Sequence, residues 1–185
     1  MQSVPFPGRL TADESYPIRG AIDRFAAESR YRGHMNVIDL RDVDANEKRF
    51  LRERNIITYE MEVADNTLAA VNNSDDFSIL VNEEDHFRIQ VIRPGLQLMD
   101  VYKTADAVDS ELNRFVPYAF SEDLGFLTAC TSNLGTGLRV SVLLHLRRLE
   151  ADRWIVLPEP IFLSVHVQRD IILNDEAVKA ADPCQ

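Results

Sequence analysis

Cysteine is scarce in this chain: Cys130 and Cys184 are the only two among 185 residues. Two thiols do not make a disulfide framework. No second His or Cys stands at ligand spacing from His86, so no metal site is expected there. Long apolar runs are missing too, and the longest, such as residues 140–146, are far too short to span a bilayer. The opening Met1-Gln2-Ser3-Val4-Pro5 has no basic stretch followed by an apolar one. No secretory leader is therefore expected, and the cytoplasm is the expected compartment. Basic charge is in deficit, with 20 Lys and Arg against 30 Asp and Glu and a net charge of −10. That balance argues against nonspecific binding to nucleic acid or to an anionic membrane, both of which attract basic patches. It suits a partner that is itself basic and arginine-bearing.

What is present is an ordinary globular composition, 45% hydrophobic and 27% charged, without repeats or low-complexity tracts. A single domain over residues 1–185 is expected, long enough to bury a real core. Thr11-Ala12-Asp13-Glu14 reads as a capping box opening a helix whose apolar face is Ile18, Ile22, Phe25 and Ala26. Residues 35–40 read as a strand and 44–54 as a short charged helix. Two further strands are expected at 77–82 and 87–92, with Arg93-Pro94-Gly95 ending the second. Val101, Tyr102, Ala105, Val108, Leu112 and Phe115 recur at spacings of three and four, the clearest amphipathic helix in the chain. Residues 126–130 and 138–146 read as strands separated by a small-residue loop, with His145 in strand alternation and structural. Residues 161–173 read as a strand or two without an assignable role. Strands without a βαβ rhythm favour an α+β fold with a largely antiparallel sheet flanked by helices.

Two clusters carry chemistry-bearing side chains. The first is Asn82-Glu83-Glu84-Asp85-His86-Phe87-Arg88-Ile89-Gln90, at the connection between two strands. Alternation along a strand is expected to keep Arg88 on the face of Glu84. The second is Cys130-Thr131-Ser132-Asn133-Leu134-Gly135-Thr136-Gly137-Leu138-Arg139. It places Cys130 at a strand end, with the Thr131 and Ser132 hydroxyls in reach of the sulfur, and Arg139 beside a Gly-containing loop. Taken singly, each has a plain reading. A Glu-Glu-Asp run is a solvated turn, a lone Cys at a strand end is a small buried hydrophobe, and the Gly loop lacks the Lys-Ser/Thr of a P-loop.

Taken together, the two strings resemble the central motifs of the ATP:guanidino phosphotransferases, the family of creatine and arginine kinases and the bacterial protein-arginine kinases. Gly95-Leu96-Gln97-Leu98, Tyr118-Ala119-Phe120 and Leu124-Gly125-Phe126-Leu127-Thr128 follow the family order. Gln90, Gly135-Thr136-Gly137-Leu138-Arg139 and Pro5-Phe6-Pro7-Gly8-Arg9-Leu10 look like the protein-arginine kinase branch. The resemblance covers residues 5–146, and 147–185 diverge. It implies phosphoryl transfer from MgATP to an arginine guanidinium, that of a protein or of a free guanidino compound. Because a guanidinium has a pKa above about 12, a carboxylate must orient it and help remove its proton. The resemblance assigns that part to Glu84 with Asp85 in support, and a guanidinium-contacting thiolate to Cys130. It gives the ATP phosphates to Arg88 and Arg139. The nucleotide would be lined by Val140, Ser141, Val142 and Leu143, with Mg²⁺ held mainly through phosphates and water.

Four departures bear on activity. The family's Ser-x-Arg-x-Arg block would precede Pro5, and the chain begins at Met1. Asn55 stands where the family usually has a nucleotide-contacting histidine. Thr131-Ser132 replaces Pro-Thr. Residues 147–185 hold nothing like the later Arg-Gly-rich loop, so the catalytic domain is expected to be truncated at both ends. Three readings stay open: a working kinase, alone or with arginines from a second copy or a partner chain; a degenerate module that binds arginine or a protein; and a truncated product prone to associate.

Overall fold

Alternating apolar side chains sort the chain onto two faces of one sheet. The computed structural model describes residues 5–64, 66–74, 76–146 and 156–170. Its strands are β1 (Met35–Asp39), β2 (Leu68–Asn72), β3 (Phe77–Val81), β4 (Phe87–Pro94), β5 (Phe120–Ser121), β6 (Gly125–Phe126), β7 (Leu138–Leu146) and β8 (Val156–Arg169). Six of them form one sheet in the order β1-β2-β3-β4-β8-β7, every neighbour antiparallel. β5 and β6, of two residues each, make a separate hairpin. β8, late in the chain, is inserted between β4 and β7, with Val165 opposite both Val91 and Val140.

One face is the main core. Phe87, Ile89 and Val91 of β4 and Leu163, Val165 and Val167 of β8 pack under two helices, α1 (Ala12–Glu28) and α4 (Leu98–Leu112). Ile18, Ile22 and Phe25 of α1 and Val101, Ala105, Val108 and Leu112 of α4 are fully buried. Each such Leu, Ile or Phe contributes about 1.5–3 kcal/mol by leaving water.

The other face is covered only in part. Here α2 (Ala45–Glu53) and α3 (Tyr59–Val63) bring Leu51 and Met61 onto Leu40, Ala69, Val71 and Leu80. Asp44 Oδ1 caps α2 by accepting from the Asn46 and Glu47 amides at 2.8 and 2.9 Å, and Thr58 Oγ1 caps α3. The packed cluster ends on β3. Arg88 lies across from Leu80 on the same face, so β4, β8 and β7 turn polar side chains into the space where the helices stop.

The α+β architecture agrees with the sequence expectation, as do the helices at 44–54 and from Leu98 and the strands at 35–40 and 138–146 to within two residues, although α4 ends before Phe115. Three features differ. β2 and α3 have no counterpart among the elements expected from the sequence. Residues 126–130 are not a strand, because Phe126 exchanges backbone bonds with Gly135 and the chain then turns away. Cys130 instead precedes a 3-10 turn at Thr131–Asn133. Within 161–173, the chain up to Arg169 is one strand, and residues 171–173 lie outside the described residues.

Candidate active site

The first motif is a turn between β3 and β4, closed by Asn82, whose positive φ of 57° lets its amide reach the His86 carbonyl at 3.0 Å. The turn points its side chains in opposite directions. Asp85 and His86 are buried, Glu83 is half-buried and Glu84 is exposed. Because residues 82–86 lie outside β4, strand alternation does not relate Glu84 to Arg88. The carboxylate on Arg88 belongs to Glu83, at 3.0 Å. Glu84 Oε2 instead accepts from Asn133 Nδ2 at 3.3 Å and Gln168 Nε2 at 3.4 Å.

Behind the turn lies a sealed polar cluster. Asp170 Oδ1 sits 2.7 Å from His86 Nδ1 and accepts the His86 backbone amide at 2.8 Å. His86 Nε2 lies 3.0 Å from the Pro5 carbonyl, which can only accept, so that nitrogen carries a proton. Asp85 Oδ1 accepts the Ala129 amide at 2.6 Å. Burial, and then the charge of Asp170 and a hydrogen bond with it, push the Asp85 carboxyl up to about 8. Asp85 is therefore neutral at pH 7, and with no exposed surface it cannot meet a ligand. Its support goes to the segment leading into Cys130.

The second motif is shaped by hydroxyls and glycines. Thr128 Oγ1 donates to the Cys130 carbonyl at 2.8 Å, and Ser132 Oγ lies 3.0 Å from the half-buried Cys130 sulfur. Gly137 has φ +58° and passes so close to β8 that a Cβ there would lie 2.4 Å from the Gln168 carbonyl oxygen. Arg169 secures this loop by donating to the Thr136 carbonyl at 2.9 Å and to Asp109 at 2.8 Å, with its guanidinium 3.8 Å from the centre of the Phe126 ring. Asp85 thus fastens one side of the Cys130 loop, Asn133 links it to Glu84, and Arg169 fastens the other side.

Next to this pair of turns, α2, α3 and the polar face of the sheet enclose a cavity of about 670 Å³. Arg88, Gln90, Ser141, Ser164 and His166 floor it, and Arg52, Asn55 and Tyr59 form part of its wall. Asn55 holds a positive φ of 56°, and its carbonyl accepts a hydrogen bond from Gln90 Nε2. His166 is pressed down to about 4 by burial and then by the charges of Arg88 and Arg139, so it is a neutral imidazole at pH 7. Arg88 can only donate to His166 Nδ1, at 3.4 Å, so His166 Nε2 carries the proton toward Ser164 Oγ, at 2.7 Å.

Of the residues named from the sequence, Glu84, Asp85 and Cys130 fall on two turns joined by hydrogen bonds. Asn55, Arg88, Ser141 and Val142 line the cavity. Arg139 and Val140 are exposed on β7 and are not among the described lining residues; the side chain of Leu143 lies outside the described residues. Sequence reasoning missed Ser164, His166, Gln168, Arg169 and Asp170, all from β8 or its end. The signal was there: Leu163-Ser164-Val165-His166-Val167-Gln168 alternates apolar and polar without a break. Among the described residues no group of three or more His, Cys, Asp or Glu is placed to hold a metal.

The profile of the ATP:guanido phosphotransferase C-terminal catalytic domain matches residues 19–166. The protein-arginine kinase of Clostridium acetobutylicum is 36% identical over 154 residues, covering 82% of this chain and 45% of that protein. That of Bacillus subtilis is 35% identical over 156 residues, covering 83% and 43%. The chain thus spans less than half the length of these curated relatives. Among solved structures, the substrate-free duplicated taurocyamine kinase from Schistosoma mansoni superimposes with a TM-score of 0.67 at 17% identity, over 96% of this chain and 29% of that one. Lombricine kinase gives 0.64 at 18% identity, over 94% and 57%; at such identities the likeness speaks for the fold alone. With a profile match over most of its length, the chain belongs to the ATP:guanido phosphotransferase family.

Proposed function

We propose that this chain carries the guanidinium pocket and part of the nucleotide pocket of a protein-arginine kinase, and that its reaction is phosphoryl transfer from MgATP to arginine. The observation that carries this reading is the junction of the two motifs. Asp85 holds the Ala129 amide and Asn133 reaches Glu84, so an exposed carboxylate and a thiol-bearing turn share one rim beside a cavity with arginines in its lining. Glu84 orients the planar cation and takes up its proton as the nitrogen–phosphorus bond forms. Cys130 presents its sulfur to the same cation, with Ser132 supporting it.

The cavity suits a nucleotide. Its volume accepts one, and Arg88 Nε is buried without a hydrogen-bond partner among the described residues, a donor available to an anion. Arg88 and Arg139 would meet phosphate oxygens, and Mg²⁺ would be carried by the phosphates. The supporting test incubates the chain with MgATP and an arginine-rich protein. Acid-labile phosphoarginine is expected, falling about 10²–10³-fold in Glu84→Gln. No product at any protein concentration rejects turnover.

One observation favours a second reading, an arginine-binding module with weak catalysis. Two cavity guanidiniums are already neutralised, Arg88 by Glu83 at 3.0 Å and Arg52 by Glu62 at 2.6 Å. Under it, arginine raises the melting temperature without turnover, and Glu84→Gln abolishes that shift.

A further inference from the structure

We propose that Gln168 and Asn133 form an amide cradle that positions Glu84 for the guanidinium; the inference rests on the guanidinium reading above. Glu84 sits in a turn, where backbone geometry alone does not aim its carboxylate. Two carboxamides reach it from separate elements, Asn133 from the turn after Cys130 and Gln168 from β8, at 3.3 and 3.4 Å. Both meet Oε2, and Oε1 accepts no hydrogen bond among the described residues. One oxygen is held and the other is left for a ligand.

The choice of amides has a physical consequence. A carboxamide donates without bringing charge, so the carboxylate stays a full anion and keeps its attraction for a cation. The neighbouring pair shows the contrast: Glu83 is spent on Arg88. Gln168 is well placed to hold a fixed geometry. It is 7% exposed, and its own backbone amide donates to the Gly137 carbonyl at 2.8 Å. The next residue, Arg169, is locked to Asp109 and Phe126. β8 therefore contributes to the guanidinium rim as well as to the cavity floor. Gln168 and Asn133 are positioning residues and do not meet the reacting atoms.

The test titrates the full chain with blocked arginine (N-acetyl-arginine amide) by calorimetry. Gln168→Met and Asn133→Ala are each expected to weaken binding about three- to tenfold. The double variant should approach the loss seen in Glu84→Gln. Melting temperature and the ATP titration should stay as in the wild type in Asn133→Ala, which a merely structural role would not allow. Should Gln168→Met fail to fold, Asn133→Ala decides alone. Wild-type protein that does not bind the arginine probe, or Glu84→Gln protein that binds it equally well, overturns the guanidinium reading and the cradle with it. Glu84→Gln losing the probe while the amide variants keep it overturns the cradle only.

Discussion

Asp85 lies against Asp170 in a buried pocket beneath the exposed Glu84. Both are buried, and burial, then the charge of Asp170 and a hydrogen bond with it, raise the Asp85 carboxyl to about 8. Ionising Asp85 there would set a second negative charge beside Asp170 in a poorly solvated site. The pair joins three separate segments: the β3–β4 turn, the end of β8 and the segment before Cys130.

That arrangement makes stability fall as pH rises. In the unfolded chain Asp85 ionises near 3.8, and in the folded chain near 8. Between those values the folded state binds the extra proton, so its advantage is complete below the lower value and is lost as pH climbs through the upper one. The limiting slope is about 1.4 kcal/mol per pH unit. Asp85→Asn keeps the shape and removes the titration. The difference between wild-type and Asp85→Asn melting curves from pH 5 to 9 should favour the variant increasingly with pH; a constant difference would contradict the raised carboxyl of Asp85.

His166 works in the opposite direction. Its folded value, lowered to about 4, lies below the ordinary 6.5. Between the two, the unfolded chain binds more protons, so stability is lost as pH drops through that window. His166→Gln should be relatively more stable at pH 4.5 than at pH 7.5. Direct NMR titration should find this imidazole neutral through pH 6; a midpoint near 6.5 would contradict its placement between Arg88 and Arg139.

The two motifs could be read from the sequence because each is a local string, and so could the helices whose apolar spacing is regular, such as Val101, Ala105, Val108 and Leu112. Side-chain direction within a turn could not. Glu83, Glu84 and Asp85 are adjacent acids, yet they end on an arginine, at the exposed rim and in a sealed pocket. β8 was the larger omission. Ser164, His166 and Gln168 alternate as a half-buried strand should, but their role comes from insertion between β4 and β7. That is a long-range pairing which local periodicity does not encode.

The Gly137–Arg169 contact gives a test of how β8 holds the second motif. Gly137→Ala adds a Cβ against the Gln168 carbonyl at a left-handed position and should cost at least about 1–2 kcal/mol. Arg169→Leu leaves Asp109 without its cation and the Thr136 carbonyl without its donor, a loss of about 3 kcal/mol. Arg169→Lys should not restore it, because a single ammonium cannot reach both partners or stack on Phe126. Urea melts of the three variants measure this; a rescue by lysine would show that charge alone matters.

Glu83 decides how strongly the cavity attracts an anion. Its carboxylate, with a side chain 5% exposed, neutralises Arg88 at 3.0 Å, and its other oxygen accepts the Glu84 amide at 3.0 Å. Glu83→Gln keeps one acceptor oxygen, for the Arg88 guanidinium or for the Glu84 amide, while freeing the positive charge of Arg88. Replacing a charged hydrogen bond by a neutral one and facing the other donor with an NH2 group should cost about 1–3 kcal/mol of stability. Over the same change, affinity for ATP should rise about three- to tenfold, and the gain should shrink as salt is added. Affinity for the arginine probe should change little, because Glu84 is untouched. Tighter nucleotide binding accompanied by measurable phosphoarginine would mean that the ion pair restrains an otherwise competent site. ATP affinity unchanged or weakened in Glu83→Gln would show that Arg88 does not face the phosphates and that the nucleotide, if bound, lies elsewhere.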